Sequence, residues 1–580
     1  MKKKLSLALN ALLLVALSIP SVLAQNTTPN RRTPPNVAGP SGRQMRERPK
    51  LPSEATSAIE EDFSEALSIV QDNYVDGQKI DYNGAFKSSI IGMLRSLDPH
   101  SNYYDAKEFE ELRNDWRSEY FGIGATIGDR KIKGAQDTYI LSTFDKSPAA
   151  KAGLRFGDKI IDVNGESIKG KPSSDVRDRL RGPRGSTVKV TVERAASGQN
   201  ETVEITRDAV SQPTVPDYYM VKPGVGYIDM QRGFNYDTAE RFNDAIDELK
   251  GKGMTALVLD LRNNPGGLLD QAHKVAERFL QRGQLILSQR GRASGERTLI
   301  SQNSAPDNIP LVVLVNRNSA SASEIVAGAL QDHDRALIIG ETTFGKGLVQ
   351  SIIPLEYGTA LTLTSSKYYT PSGRLIQRDY SAEGLYDYYT RGGLGSQDVE
   401  EGAAAQPAKP NGPESRTDTG RVVYGGGGIA PDEAVKPRLL NVAQQRMSID
   451  PVFAFVRELV NGRIAGFESY KLQRPIEFDH DLKADEYPVT DNLFKAFKNF
   501  VADHSDDYKY TEAQLDKNRD HLARQIRSDI STATYGTVKA GRVQVFDDPQ
   551  VTKAVEVLPR ARELAAAAQR GRSPQQKSFE

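Results

Sequence analysis

The stretch ALIIGETTFGKGLVQ, Ala336–Gln350, decides how the chain is to be read. A short apolar run leads into Gly340, and Gly345-Lys346 follow at the spacing of a phosphate-binding G-x-x-x-x-G-K. That pattern requires Ser or Thr next, whose hydroxyl holds magnesium. Gly347 stands there instead. Lys346 therefore calls for a chemistry other than phosphate binding.

Its neighbourhood supplies one. From about Thr214, the runs VGYIDM, ALVLDLR, LVVLVN, ALIIGE and ALTLTSSKYY alternate with helical stretches such as 238–250 and 271–281. Several of these runs are continuously apolar, the pattern of strands in a sheet covered on both faces. Three motifs fall at strand ends, where such folds place their sites. They are DLRNNPGGLLD with Gly266 and Gly267, NRNSASASEIVAGALQDH opening a helix, and the Lys346 segment itself. A serine, a lysine and a pair of glycine amides are the parts of acyl transfer: nucleophile, base and oxyanion donors.

A lysine base must be neutral, and at an ordinary pKa near 10.4 only about one amine in 2,500 is neutral at pH 7. Bringing the pKa near 7 takes a shift of roughly three units, about 4 kcal/mol. Phe344, Leu348 and Val349 are apolar neighbours that can desolvate it, and the uncharged amide of Gln350 can orient the amine without restoring its charge. Spacing does not choose among Ser319, Ser321 and Ser323. His100 and His333 are alternative bases, but neither G-D-S-G-G nor G-x-S-x-G accompanies them.

The rest of the chain sets limits. Its 580 residues imply several domains, and 76 basic against 76 acidic side chains give no charge bias towards nucleic acid or an acidic membrane. The absence of cysteine excludes disulfides, zinc–thiolate sites and a cysteine nucleophile. No cofactor or metal site is expected. Lys2–Lys4, an apolar run from Leu5 to Ile19, and Val22 and Ala24 at cleavage spacing read as a signal peptide over 1–24. A periplasmic or secreted protein follows. A Pro-rich tether over 25–52, a helical region over 53–118 and a helical C-terminal domain over 437–580 complete the expected order, with residues 381–422 as an inserted surface loop.

Between these, YFGIGATIG and SPAAKAGLRFGDKIIDVNGESI resemble a PDZ domain, assigned to 119–209. The resemblance implies that an extended peptide is added as a strand and that the loop Phe121, Gly122, Ile123 and Gly124 receives its terminal carboxylate. SASASEIVAGALQD, GETTFGKGLVQ, LDLRNNPGG and YYTPSGRLIQ, with LDPHS and the PDZ segment ahead of them, resemble the carboxyl-terminal processing peptidases, or tail-specific proteases. The resemblance covers roughly residues 55–436. It implies a multidomain α/β protein with a crotonase-like protease core over 210–436. It also implies a serine endopeptidase with Ser321 as nucleophile, Lys346 as base and Gln350 as the orienting amide. The oxyanion amides fall on Ala322 and Gly267. Partners are then protein or peptide substrates with free C-termini; a homo-oligomer and an activating adaptor stay open, and nucleic acid is not expected. A non-catalytic PDZ scaffold that binds C-termini is the competing reading.

Overall fold

The structure, a computed structural model, describes residues 53–380, 388, 412–472 and 475–572. The expected signal, the tether and most of the 381–422 insertion lie outside the described residues. Two compact units form, one from residues 53–109 with 351–363 and one from 110–350 with 364–572.

In the smaller unit, helical periodicity produces helices Ser53–Asn73 and Tyr82–Arg95, and Asp81 caps the second by accepting from the Gly84 N–H. The LDPHS segment is a turn closed by its own side chain. Asp98 Oδ1 accepts from the His100 and Ser101 N–H groups, and Oδ2 from Ser101 Oγ. Strand Asn102–Tyr104 then pairs antiparallel with Ala360–Thr362.

The larger unit begins with a β domain: β1 (Glu119–Gly122), β2 (Ala125–Ile132), β3 (Ala135–Thr143), β4 (Lys159–Val163), α1 (Ser173–Leu180), β5 (Thr187–Glu193), β6 (Asn200–Thr206) and β7 (Asp208–Ser211). β2–β6 form an antiparallel sheet in the order β2-β3-β4-β5-β6, and β1 pairs with β7. Alternation places Val188, Val190 and Val192 of β5 inward, against Ile140, Ile160, Val176 and Leu180. β2 is an edge strand.

The central sheet comprises β8 (Tyr218–Lys222), β9 (Val225–Asp229), β10 (Ala256–Asp260), β11 (Leu311–Val315), β12 (Leu337–Gly340) and β13 (Glu433–Ala434), in that spatial order. Only the β8–β9 pair is antiparallel. Every residue of β10, β11 and β12 is buried. Helices α2 (Thr238–Gly251), α3 (Leu269–Glu277) and α4 (Ala322–Asp332) cover one face through Phe242, Ile246, Leu249, Val275, Val326 and Leu330.

The other face carries Tyr227, Val258, Val312, Leu314 and Ile339. The C-terminal segment covers it with Val551, Ala554, Val557, Leu558 and Ala561. That segment holds α5 (Phe453–Val460), α6 (Asp491–Asp503), α7 (Arg519–Phe546), α8 (Pro549–Glu556) and α9 (Leu558–Arg572). Each aliphatic side chain the last two helices shield contributes about 1.5–3 kcal/mol, so α8 and α9 form the second layer of an α/β sandwich. The helices before them, through the first part of α7, pack on the β domain, where Phe453 meets Tyr139 and Phe156, while the end of α7 turns to the central sheet, Arg542 pairing with Asp217 and lying over the Tyr219 ring. The described end of the expected insertion returns as the hairpin Glu414–Arg416/Val422–Tyr424. Arg421 there pairs with Asp334 and Asp432, which anchors the hairpin to the sheet.

Candidate active site

The motifs expected to carry chemistry follow the C-terminal ends of β10, β11 and β12, side by side in the sheet. Ser321 occupies the turn between β11 and α4 with φ +52° and ψ −111°. A serine held at positive φ is uncommon and strained, and such turns present a side chain clear of the helix that follows.

The flanking serines do other work. Ser319 is fully buried, donates from Oγ to the Leu261 carbonyl at 2.7 Å and accepts from the Asn316 N–H. Ser323 is fully buried and donates to the Asn264 carbonyl at 3.0 Å. Only Ser321 of the three is accessible. Ser319→Ala and Ser323→Ala are therefore expected to lower stability by about 1–3 kcal/mol, since each removes a buried hydrogen bond and Ser319→Ala also strands the Asn316 N–H, while retaining measurable turnover. Thermal melts beside a peptide-cleavage assay check this; a folded but inactive Ser319→Ala protein would move the nucleophile.

Glu324, three residues into α4, joins the serine turn to the lysine segment. It is fully buried. Oε2 accepts from the Ser321 N–H at 2.8 Å and the Lys346 N–H at 2.9 Å; Oε1 accepts from the Gly345 N–H at 2.7 Å and Thr343 Oγ1 at 2.5 Å. Burial holds its carboxyl above the usual carboxylate range, and these four donors offset only part of that rise. The same contacts dispose of the phosphate reading: the Gly345 and Lys346 amides that would cradle a phosphate already face a buried carboxylate. Sequence reasoning missed Glu324, although Ser321-x-x-Glu324 is the S-x-x-E capping-box spacing that could have found it. Tyr368, also missed, is buried and donates from its hydroxyl to the Ser321 carbonyl at 3.2 Å.

Lys346 is half-buried, between buried Phe344 and Leu348. The Phe344 ring meets Tyr388 edge-on at 5.5 Å and lies under the Arg378 guanidinium at 4.9 Å. Gln350 donates from Nε2 to Thr364 Oγ1 at 3.2 Å, a bond that does not use its carbonyl oxygen.

The glycine pair lies against the serine turn. At Gly266, φ +97°, a Cβ would sit 2.8 Å from Ser321 Cβ and 2.9 Å from the Ala322 nitrogen, so only glycine fits. The Gly267 main chain lies beside Phe234, whose N–H donates to the Gly266 carbonyl while its carbonyl accepts from Leu268. Asn264 fixes the loop, accepting from the Gly266 N–H on Oδ1 and from the Ala320 N–H on its carbonyl. The N–H groups of Gly267 and Ala322 have no acceptor among the described residues. Ala322 opens α4, whose first amides and dipole favour negative charge.

The histidines stand elsewhere. His333 Nε2 is 2.7 Å from the Leu285 carbonyl and Nδ1 is 2.9 Å from Asp418. His100 belongs to the turn of the smaller unit.

In the β domain, the expected carboxylate loop leaves β1 at Phe121 and Gly122 and enters β2 after Gly124. The Ile123 carbonyl accepts from the Ala149 N–H and the Gly124 carbonyl from the Phe144 N–H, and Gly124 has φ +76°. Carbonyls are thus turned inward, and the Ile123 and Gly124 N–H groups have no acceptor among the described residues.

Comparison with known proteins gives the family. Residues 224–383 match Peptidase family S41, and residues 145–194 match the PDZ domain. The carboxy-terminal-processing protease of Bartonella bacilliformis is 40% identical over 326 residues, which are 54% of this chain and 72% of that one. The chain belongs to the carboxy-terminal processing proteases of family S41. It is a serine-type endopeptidase with an internal PDZ domain. The carboxy-terminal processing protease CtpB of Bacillus subtilis is 34% identical over 331 residues, 56% of this protease and 67% of that one. Among solved structures, a photosystem II D1 C-terminal processing protease aligns at 33% identity with a TM-score of 0.31, covering 54% of this chain and 88% of that one.

Proposed function

We propose that the protein is an exported protease with a crotonase-like core that captures protein C-termini on its PDZ domain and cuts with a Ser321–Lys346 dyad. The observation that carries the reading is the Glu324 carboxylate, which accepts from the Ser321 and Lys346 N–H groups at once and so ties the two segments to one point.

The chemistry follows from the parts. Neutral Lys346 Nζ takes the proton as Ser321 Oγ attacks the scissile carbonyl carbon. The N–H groups of Ala322 and Gly267 receive the oxyanion. Collapse expels the amine, which takes the proton from the Lys346 ammonium, and leaves an acyl-serine ester. Water then attacks the ester with Lys346 again as base, restoring Ser321. Phe344 and Leu348 favour the neutral amine by excluding water, and the Gln350 amide orients it without charge.

An active-site-directed serine reagent tests the reading. Covalent labelling should map to Ser321, disappear in Ser321→Ala and be slowed by a substrate peptide; labelling at another serine defeats it. N-terminal sequencing of exported protein, expected to begin at Gln25, tests the signal. The exposed Ile59, Phe63, Ile69 and Val70 of helix Ser53–Asn73 support a homo-oligomer, which a mass measurement by light scattering tests.

Substrate choice gives a further expected result. If the Ile123 and Gly124 amides receive a terminal carboxylate, amidating a substrate's C-terminus removes charge-assisted bonds contributing roughly 1.5–3 kcal/mol. KM should rise by about one to two decades. A fall in kcat as well would make peptide binding part of assembling the site. Equal cleavage of acid and amide ends the carboxylate-reading idea.

A further inference from the structure

The free edge of the PDZ sheet is not open along its whole length. β2 pairs on one side only, with β3 in antiparallel register from Ala125 opposite Thr143 to Ile132 opposite Ala135. On such a strand alternate residues turn their N–H and C=O outward. Lys131 is one of these, and the C-terminal segment already occupies both its groups. The Lys131 N–H donates to Asp450 Oδ1 at 3.0 Å, and its carbonyl accepts from the Tyr508 hydroxyl at 3.1 Å.

This is a built contact. Tyr508 is buried in the apolar cluster that joins the two segments, and Phe453 of the same cluster lies under the Arg130 guanidinium at 5.2 Å. At the turn joining β2 to β3, Asp507, next to Tyr508, accepts on Oδ1 from the Gly134 N–H at 2.7 Å. Alternation puts Asp129 and Ile127 on the same outward edge as Lys131. The Asp129 side chain meanwhile holds the start of α1, accepting from the Ser173 N–H and Oγ at 3.1 Å. The groove between β2 and α1 is therefore formed beside Ile127 and Asp129; the Asp129 carbonyl accepts from the strand's own Arg130 Nη1 at 2.8 Å, which a long exchangeable side chain can release, whereas at Lys131 the C-terminal segment takes both main-chain groups.

We propose that the C-terminal helical segment, through Asp450 and Tyr508, limits strand addition on the PDZ domain to the stretch Ala125–Asp129. The protease then pairs with about the last five residues of a tail, and the chain upstream must turn away from β2. The proposal rests on the reading that Phe121–Gly124 takes the terminal carboxylate, which sets the direction: a peptide added antiparallel to β2 starts at Ala125 and meets Lys131 last. A substrate tail would accordingly need a short extended end and not a long β-competent one. Proline or a helical start just upstream would be tolerated.

The test uses the full-length Ser321→Ala protein, which leaves the peptide intact, and a fluorescent decapeptide acid, the tightest binder of a C-terminal peptide library. Its backbone amides are N-methylated one at a time. Losing one main-chain bond should weaken binding roughly threefold to tenfold at alternate positions within the last five residues, and less than twofold from the seventh residue upstream. Hydrogen exchange supplies a second readout without substrate: the Lys131 amide should be protected in the free protein and lose protection in Asp450→Ala. Peptide should add protection at Ile127 or Asp129 and none at Lys131. A cost at the seventh or eighth position equal to that at the third, or a Lys131 amide protected only after peptide addition, overturns the cap. Equal binding of acid and amide peptides would instead overturn the carboxylate reading, and the cap's role in tail length with it.

Discussion

Ser321→Ala is expected to lower kcat by at least about four orders of magnitude while the protein stays folded. Residual cleavage would come from binding and from the Ala322 and Gly267 amides, which the substitution leaves in place. The turn should survive because its geometry is imposed by Glu324 on the Ser321 N–H, by Tyr368 on the Ser321 carbonyl and by Gly266 against its side. Lys346→Ala should be as severe, and the double variant little worse than either single, since the proposed nucleophile and base would act in one step. Lys346→Arg keeps the charge and approximate length, yet a guanidinium does not release its proton at working pH; it should be inactive too. The remaining parental activity should rise with pH as the Lys346 amine loses its proton. A tailed fluorogenic peptide assayed across pH, with circular dichroism melts of each variant, checks all of this. Substantial turnover by Lys346→Arg removes Lys346 from the base role.

Much of this site was legible because its signals are short. Strand runs such as LVVLV are buried on both faces because five consecutive apolar residues leave no side for water, and the structure covers both. The Gly266-Gly267 pair reads as a close approach, and the Cβ clash at Gly266 with Ser321 supplies the reason. Other features have no short signal. Ser319, Ser321 and Ser323 carry the same hydroxyl at the same spacing; what separates them is burial against the Leu261 and Asn264 carbonyls, 58 and 59 positions away, and a backbone torsion held by Glu324, Tyr368 and Gly266. The second layer over the central sheet comes from Val551 to Ala561, whose helical pattern shows an apolar face but not what it faces. Arg262 shows the same limit. It pairs with Asp260, two residues off, and with Asp548 and Gln550, nearly 290 residues on, so the loop before the glycine pair is held partly by the far end of the chain. Asp450 and Tyr508 on Lys131 are another such meeting.

Glu324 carries the second large expectation. Four donors converge on its carboxylate, and two are main-chain groups of the proposed nucleophile and base. Glu324→Ala strands buried N–H groups of Ser321, Gly345 and Lys346 and the hydroxyl of Thr343, at a cost on the order of 3–5 kcal/mol even if water reaches some of them. That variant should melt well below the parent, so its inactivity alone would say little. Glu324→Gln is the sharper probe. Its amide fills the same space, but one end now presents N–H groups to donors and must turn away from either the Ser321–Lys346 pair or the Thr343–Gly345 pair. A displacement of about 1 Å between reacting groups costs roughly 10²-fold, so kcat should fall by about that factor with KM nearly unchanged and a folded protein at 25 °C. Restoring the acid with Glu324→Asp should not rescue, because a side chain one methylene shorter cannot span both segments. The serine reagent gives an independent readout: Glu324→Gln should label at Ser321, but slowly. A Glu324→Gln protein with parental kcat would mean that the carboxylate holds the fold together without holding the reacting groups in place.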